Sequence, residues 1–541
     1  MNFKTSTNKD GSWLQWFILG AIIALGAAVR LYCMHGLWGA DDAEYARLAN
    51  ALANGNFTSF VQDNYISRFN APAHLPYRMG LIAPLAVIFR LNGINEMSLM
   101  VYPFLSSLAG IPLAYLTGRL LFGGRAGLIA ALLWAIFPVD VWYATSFLPD
   151  IIASFYGSAG IAVILWLMYS DRHLSGSRLF IGGGIAGLLF GLSWLSKESI
   201  AYLVPFTGIM MLLSFRKGFR SYLPLWIGVA AASIAVLLSE MAVYHYIRGD
   251  FMLRMHENER SFMQTKAYLF YEGSRFGWPV GASHAKALVK RLFLSGPTTI
   301  LFNDRYLYLP FIGLIASAYG LYWRDRRFVA PALWLITLIL MYNFFTCSFA
   351  SYTPLVLLER YLHQIMLPAT LLTAGLIVKL FPGSGDGIGT DATRERLFWG
   401  LTVTLIIIAI CGYFTFYTLR GMERSRPAYE LKNAVKLIKP SDTVYTDPLA
   451  AKSLEFFWGY PAKSNVVNFE DMKTTDVPVN SLVLVDAFRM DWLKVNVSMW
   501  LTRDYGYKEP EFATNPPANW KKLWKNAYAT LYRVEEQPTA Q

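Results

Sequence analysis

The run Trp13-Leu14-Gln15-Trp16-Phe17-Ile18-Leu19-Gly20-Ala21-Ile22-Ile23-Ala24-Leu25-Gly26-Ala27-Ala28-Val29-Arg30-Leu31-Tyr32-Cys33-Met34 carries a single charge, and Trp38-Gly39-Ala40-Asp41-Asp42-Ala43-Glu44-Tyr45-Ala46-Arg47 follows almost at once. An uninterrupted apolar stretch of this length reads as a membrane-crossing helix. Asp41, Asp42 and Glu44 therefore lie against a hydrocarbon boundary, where an ionised group is costly unless something uses or neutralises it. This acid segment is the first candidate active site.

Composition widens the reading from one helix to the whole chain. The 541 residues are 55% hydrophobic, 16% aromatic and 16% charged, whereas charged residues make up roughly a quarter of an ordinary soluble domain. A polytopic membrane protein fits. The formal net charge of +12 does not point to nucleic acid, because Lys and Arg fall in short clusters between apolar runs rather than on one soluble face. Cys33, Cys347 and Cys411 lie in or at the ends of apolar runs, which argues against a disulfide framework or a thiolate metal site.

Eleven apolar runs are long enough to span: 13–34, 97–122, 126–144, 150–170, 179–196, 199–215, 222–246, 297–322, 328–349, 360–381 and 397–418. The first is longer than a signal-peptide core of roughly 7–15 residues and lacks a clear cleavage signal, so it is read as a retained helix with the N-terminus inside. Arg119/Arg125, Arg172/Arg178, Arg216/Lys217/Arg220, Arg324/Arg326/Arg327 and Lys379/Arg394/Arg396 then share the cytoplasmic side, while the short loops opposite hold only Lys197 and Arg360. The expected architecture is all-α, with residues 1–420 as the membrane unit and outer-face loops at 35–96 and 247–296. Residues 421–541 alternate helix-like and strand-like segments and read as a small α/β domain on the outer face. No phosphate-binding glycine fingerprint follows its strands, so no nucleotide cofactor is expected. Within the first outer loop, Tyr77–Leu91 is apolar but too short to span comfortably.

On a helix, Asp41 and Asp42 point about 100° apart, and Tyr45 shares the face of Asp41. Asp150, in Thr145-Ser146-Phe147-Leu148-Pro149-Asp150, opens the fourth run at the same boundary. Two such acids suit a general base and a cation site, with a divalent metal held by Asp41 and Asp150 as one option. The structural alternative for Asp42 and Asp150 is helix capping, and for Arg360 the snorkelling of a helix-end cation. Lys197 and Glu198 read as a structural pair at a helix hairpin. Trp38, Trp142 and Tyr143 fit an interfacial aromatic belt. His256, Glu257 and Glu259 have metal-capable side chains but no recognised ligand spacing, so a solvated loop is expected.

The order of motifs resembles the membrane-embedded GT-C glycosyltransferases, in the branch of protein O-mannosyltransferases and bacterial aminoarabinose transferases. The likeness rests on the acid pair after the first span, Arg90-Leu91-Asn92-Gly93-Ile94-Asn95-Glu96, Phe137-Pro138, Leu148-Pro149-Asp150, Gly191-Leu192-Ser193-Trp194-Leu195-Ser196-Lys197-Glu198 and Glu359-Arg360-Tyr361-Leu362 with Pro368. It covers roughly 13–420, and no motif is specific alone. The resemblance implies a polyprenyl-phosphate sugar donor, reaction at the outer face of a bacterial inner membrane, and inversion at the anomeric carbon. It makes Asp41 the catalytic acid of the pair, Asp42 its neighbour and Asp150 the second acid. The family's phosphate-contacting lysine has no counterpart in His74-Leu75-Pro76-Tyr77-Arg78, which leaves Arg78 as the nearest basic residue.

The expected chemistry has Asp41 taking the proton of an acceptor hydroxyl. Arg78, Arg360 with Tyr361, and Lys197 are the donor- and phosphate-binding candidates, because guanidinium donors grip phosphate oxygens in pairs. Partners are the lipid donor, a hydroxyl-bearing lipid, glycan or protein acceptor, and membrane lipids. A flippase of lipid-linked sugars is the alternative. It calls for acids and Gly/Pro breaks near the middle of helices rather than acids at one boundary.

Overall fold

The computed structural model describes residues 12–34, 36–38, 41–59, 78–169, 174–256, 258, 289–346, 357–381, 400, 403–404, 407, 410–412, 427–461, 465–469, 472–487 and 510–536. Among them, eight helices are long and apolar enough to cross a membrane: Trp13–Tyr32, Glu96–Phe122, Pro149–Tyr169, Gly176–Ser196, Glu198–Arg216, Gly218–Arg248, Arg326–Phe344 and Glu359–Leu380. Met79–Asn92, Gly124–Ala135 and Leu309–Tyr322 are apolar but shorter. The chain is a multi-pass membrane protein. Most of the expected run 397–418, most of the loop 247–296 and the stretch His74–Tyr77 lie outside the described residues.

Two apolar runs differ in detail from their sequence reading, each for a local reason. The run 126–144 stops at Ala135 and restarts as the short helix Pro138–Tyr143. Pro138 lacks an N–H and forces Phe137 into extended backbone, which breaks the ladder. In the run 297–322, Leu307 and Tyr308 adopt positive φ, so the regular helix begins only at Leu309. The runs 199–215 and 222–246 stay two helices, as read: they meet at Gly218, whose φ of 145° leaves helical geometry and is open to glycine alone among common residues, and Trp226 Nε1 donates to the Ser214 hydroxyl at 2.8 Å across the turn.

The second of these, Gly218–Arg248, packs closely on Gly176–Ser196 through glycines. A Cβ at Gly183 would meet the Leu225 carbonyl oxygen at 2.1 Å, and one at Gly187 the Val229 oxygen at 2.3 Å. Small residues spaced by four let two backbones approach where lipid offers no hydrophobic incentive to associate. The result is a rigid wall that ends at Lys197.

The acid segment forms the helix Asp41–Ala53, with Tyr45, Ala46, Leu48 and Ala49 buried against Leu81, Leu85, Phe147 and Ile152. Beyond the membrane helices, a five-stranded sheet is built from β1 (Thr443–Thr446), β2 (Asn465–Asn468), β3 (Leu482–Asp486), β4 (Trp520–Lys525) and β5 (Ala529–Val534), in the order β2-β1-β3-β5-β4. β1 runs parallel to β2 and β3, whereas β5 is antiparallel to β3 and β4. The sequence reading missed β4, because Lys521, Lys522 and Lys525 make Trp520–Lys525 look like a solvated loop. They are the exposed positions of an edge strand, where lysines discourage sheet-to-sheet pairing.

Candidate active site

Five chain breaks bring the charged residues to one place. Asp41 is the first residue of its helix, and Asp42 turns back so that its carboxylate accepts from the Trp38 and Ala43 N–H groups. Asp42 is thus a backbone clasp, as the capping alternative held. Arg78 precedes Met79–Asn92, and Asp150 opens Pro149–Tyr169. Lys197 ends Gly176–Ser196 in extended backbone and hands the chain to the 3-10 turn Glu198–Leu203. Arg360 and Tyr361 sit on the 3-10 turn Glu359–Ile365.

The resulting cluster joins these ends by ion pairs. Arg360 Nη2 donates to Asp41 Oδ2 at 3.4 Å, and Lys197 Nζ donates to Asp150 Oδ1. Arg78 Nη2 donates to Glu198 Oε2 at 3.0 Å, while its Nη1 reaches the Tyr45 hydroxyl. Lys197 stands 3.7 Å above the Tyr361 ring, with the Arg360 guanidinium 5.2 Å from the same centroid, and an aromatic face attracts both cations. Arg78, Lys197 and Arg360 therefore converge beside Asp150 and Asp41.

Solvent access separates the two acids. The Asp41 side chain is 43% exposed, whereas that of Asp150 is 4% exposed beneath Lys197. An incoming hydroxyl can reach Asp41, and Asp150 instead holds a cation in place. Burial pushes Lys197 down to about 8, partly countered by Asp150. Burial also raises the Tyr45 phenol above its ordinary value against the pull of Arg78, so it stays a neutral hydrogen-bonding group.

The pairing expected between Lys197 and Glu198 is not formed. Extended backbone at Lys197 sends adjacent side chains apart, Lys197 to Asp150 and Glu198 to Arg78 and Arg254. Arg254, unremarked in sequence beyond its place in a polar loop, is buried. It contacts Glu198 at 3.3 Å, Glu240, and the Trp194 carbonyl at 2.5 Å. Glu44 points away from this cluster and pairs with Lys452 at 3.1 Å. His256 is 68% exposed and pairs with Asp250.

A second network lies deeper. Asp140 accepts from Arg30, from the Ser107 hydroxyl, and faces His363 Nε2 at 2.8 Å; Arg30 also donates to the Ala135 carbonyl at 2.8 Å. Sequence reasoning passed over it, although Arg30 is the lone charge of the first run and Asp140 follows Phe137-Pro138. Among the described residues, no three His, Cys, Asp or Glu side chains converge as metal ligands. Asp41 and Asp150 each face a cation, which is a poor donor set for a divalent ion.

Residues 81–241 match the family model described as dolichyl-phosphate-mannose-protein mannosyltransferase. The chain is 24% identical over 420 residues to undecaprenyl phosphate-alpha-4-amino-4-deoxy-L-arabinose arabinosyl transferase 2 of Pseudomonas fluorescens, covering 76% of this chain and 65% of that one. A similarly named transferase of Pseudomonas aeruginosa is 25% identical over 384 residues, or 70% of this chain and 62% of its own. The chain thus spans a little under two thirds of the length of these relatives. Among solved structures, ArnT from Cupriavidus metallidurans bound to undecaprenyl phosphate superposes with a TM-score of 0.58 at 14% identity, over 96% of this chain and 98% of the other. This chain has the fold of that protein. The Archaeoglobus fulgidus oligosaccharyltransferase in its apo form gives a TM-score of 0.57 at 13% identity, over 97% of this chain and 75% of its own. The helical architecture read from the apolar runs is therefore the GT-C fold, with a small C-terminal sheet domain added.

Proposed function

We propose that this chain moves a sugar from a polyprenyl-phosphate donor to a hydroxyl group of a lipid, glycan or protein, at the outer face of a bacterial inner membrane. Residues 1–420 form the transferase unit in this reading, and 421–541 a soluble unit on the same outer side. The observation that carries it is the convergence of Arg78, Lys197 and Arg360 beside one accessible carboxylate, Asp41. Three cations match a phosphate leaving group, and an exposed carboxylate matches a hydroxyl nucleophile. The relatives named above are transferases, which favours this reading over a flippase.

In the reaction, Asp41 accepts the proton of the acceptor hydroxyl as its oxygen bonds to the anomeric carbon. The bond from that carbon to the phosphate oxygen breaks, and one displacement inverts the centre. Arg78, Lys197 and Arg360 take up the negative charge that grows on the departing lipid phosphate, in a pocket drier than bulk water. Asp150 keeps Lys197 aimed, Tyr45 fixes Arg78, and Tyr361 holds both Lys197 and Arg360 over its ring. No step calls on a metal ion.

The test is purified protein with radiolabelled polyprenyl-phosphate sugars, read by release of free lipid phosphate together with labelled acceptor. Asp41→Asn is expected to lower release by about 10²- to 10⁴-fold while leaving lipid phosphate binding intact. Near-normal transfer by that variant would refute the assignment of the base.

A further inference from the structure

The helix that carries Asp41 is held from both sides, and one of the two holders is the soluble domain. Glu44, one turn beyond Asp41, is 7% exposed and pairs with Lys452 at 3.1 Å. Arg47, one turn further, faces Glu455 at 3.8 Å. Lys452 and Glu455 lie on the helix Pro448–Phe457, which crosses between β1 and β2. Just beyond it, the Tyr460 hydroxyl donates to the Ala43 carbonyl at 3.2 Å, inside the turn Asp41–Glu44. Phe456 completes the contact by entering the apolar cluster of Tyr45, Ala46 and Ala49.

The approach to that helix is fastened by the same domain. Glu96 Oε1 accepts from the Leu37 N–H at 3.4 Å, and its other oxygen pairs with Lys432 of the helix Pro427–Val435. A Cβ at Gly36 would lie 2.3 Å from Glu96 Oε1, so the strap at 36–38 threads past this carboxylate with no room to spare. The burial of Glu44 matters here, because a carboxylate taken out of water must keep its cation. Burial raises the Glu44 carboxyl and the charges of Lys452 and Arg47 outweigh it, leaving the group below its ordinary range and charged at neutral pH. None of these contacts touches Arg78, Lys197 or Arg360.

We infer that the soluble domain is a positioning element for the acid helix: Lys452, Tyr460 and Lys432 set the rotation of Asp41–Ala53 and so the placement of the Asp41 carboxylate over the cation cluster. The inference rests on the proposed transfer reaction for its consequence in turnover, and on contacts alone for its geometry. Lys452 and Tyr460 act through the helix and are positioning residues. A domain present only for stability or acceptor capture has no need to grip the turn that contains Asp41.

The full-length protein tests it in two arms. In the first, Lys452→Glu sets a second carboxylate against Glu44, and kcat for whichever radiolabelled undecaprenyl-phosphate sugar the wild type turns over is expected to fall about 10- to 100-fold, the scale of a misplacement near 1 Å. Affinity for undecaprenyl phosphate alone stays within about twofold, since its binding cations are untouched. Adding Glu44→Lys restores the pair with reversed polarity and most of kcat. In the second arm, nitroxide labels on cysteines replacing the exposed Asn54 and Asn433 report the distance between the acid helix and the soluble domain. The distribution is expected to broaden with Lys452→Glu and narrow again with the swap. Lys452→Met serves in both arms should the reversed charge prevent folding.

Unchanged distances overturn the inference, and so does unchanged kcat in a variant whose distances have broadened. If the wild type turns over no lipid-linked sugar, the proposed function fails, and the distance arm still decides whether the domain holds the helix.

Discussion

Two charged clusters built from the same residue types behave oppositely in this protein. The Asp41 cluster opens to solvent at one acid and leaves that carboxylate 3.4 Å from its guanidinium. The Arg30–Asp140–His363 cluster is closed, with Arg30 and Asp140 fully buried and Asp140 contacted by three side chains. A carboxylate with every oxygen committed has no capacity left for a substrate proton, whereas a loosely paired, exposed one does. Charge near a membrane helix marks importance in both cases, and only access tells chemistry from architecture. The closed cluster also holds the turn that presents Arg360, since His363 lies on Glu359–Ile365.

Substitutions at the two acids should therefore part company. Asp41→Asn is expected to lower turnover by about 10²- to 10⁴-fold, the usual contribution of a positioned base, with the thermal midpoint of the detergent-solubilised protein unchanged. Asp140→Ala should instead cost about 3–5 kcal/mol of stability by leaving Arg30 buried without its counter-charge, read as a lowered thermal midpoint. Equal behaviour of the two variants in both assays would erase the distinction.

Lys197 sharpens the comparison through pH. Burial has moved it down to about 8, so it is charged at pH 7 and mostly neutral at pH 9. If the cation binds phosphate, affinity for undecaprenyl phosphate weakens as pH rises through about 8, by about tenfold between pH 7 and 9 for a requirement of one proton. Titration by calorimetry or scintillation proximity measures it. Lys197→Arg should bind with no such inflection, because a guanidinium keeps its charge throughout.

The smallest effect is expected at the rim. Arg305 is 52% exposed and pairs with Glu359 at 2.5 Å. An exposed pair is typically worth about 0–1 kcal/mol, so Arg305→Ala should move the thermal midpoint by little, and less still in high salt. A loss comparable to that of Asp140→Ala would mean that exposure is a poor guide to the role of charges here.

Much of the molecule was readable from residue order. The apolar runs gave the membrane helices because only about 20 consecutive apolar residues satisfy a bilayer, and alternating elements within 421–541 pointed to the sheet domain. Lys197, Arg360, Asp41 and Asp150 were each identifiable as charges at helix ends, and Arg78 through the resemblance alone. The breaks at Pro138 and Leu307 were harder, since a local backbone preference interrupts an otherwise continuous hydrophobic signal. Lysines on the edge of the sheet hid β4 for a similar reason.

The sequence by itself determined that this chain lives in a membrane, roughly where most of its apolar helices lie, and which charges had to be accounted for. Only the tertiary structure decided their partners: that Lys197 turns to Asp150 and not to its neighbour Glu198, that Arg254 and Arg78 share one glutamate, and that Glu44 pairs with Lys452 of the C-terminal sheet domain. Hydrophobicity is a property each residue carries along the chain, so it survives in one dimension. An ion pair depends on two side chains meeting across a fold, as Arg360 meets Asp41, and on the water left between them.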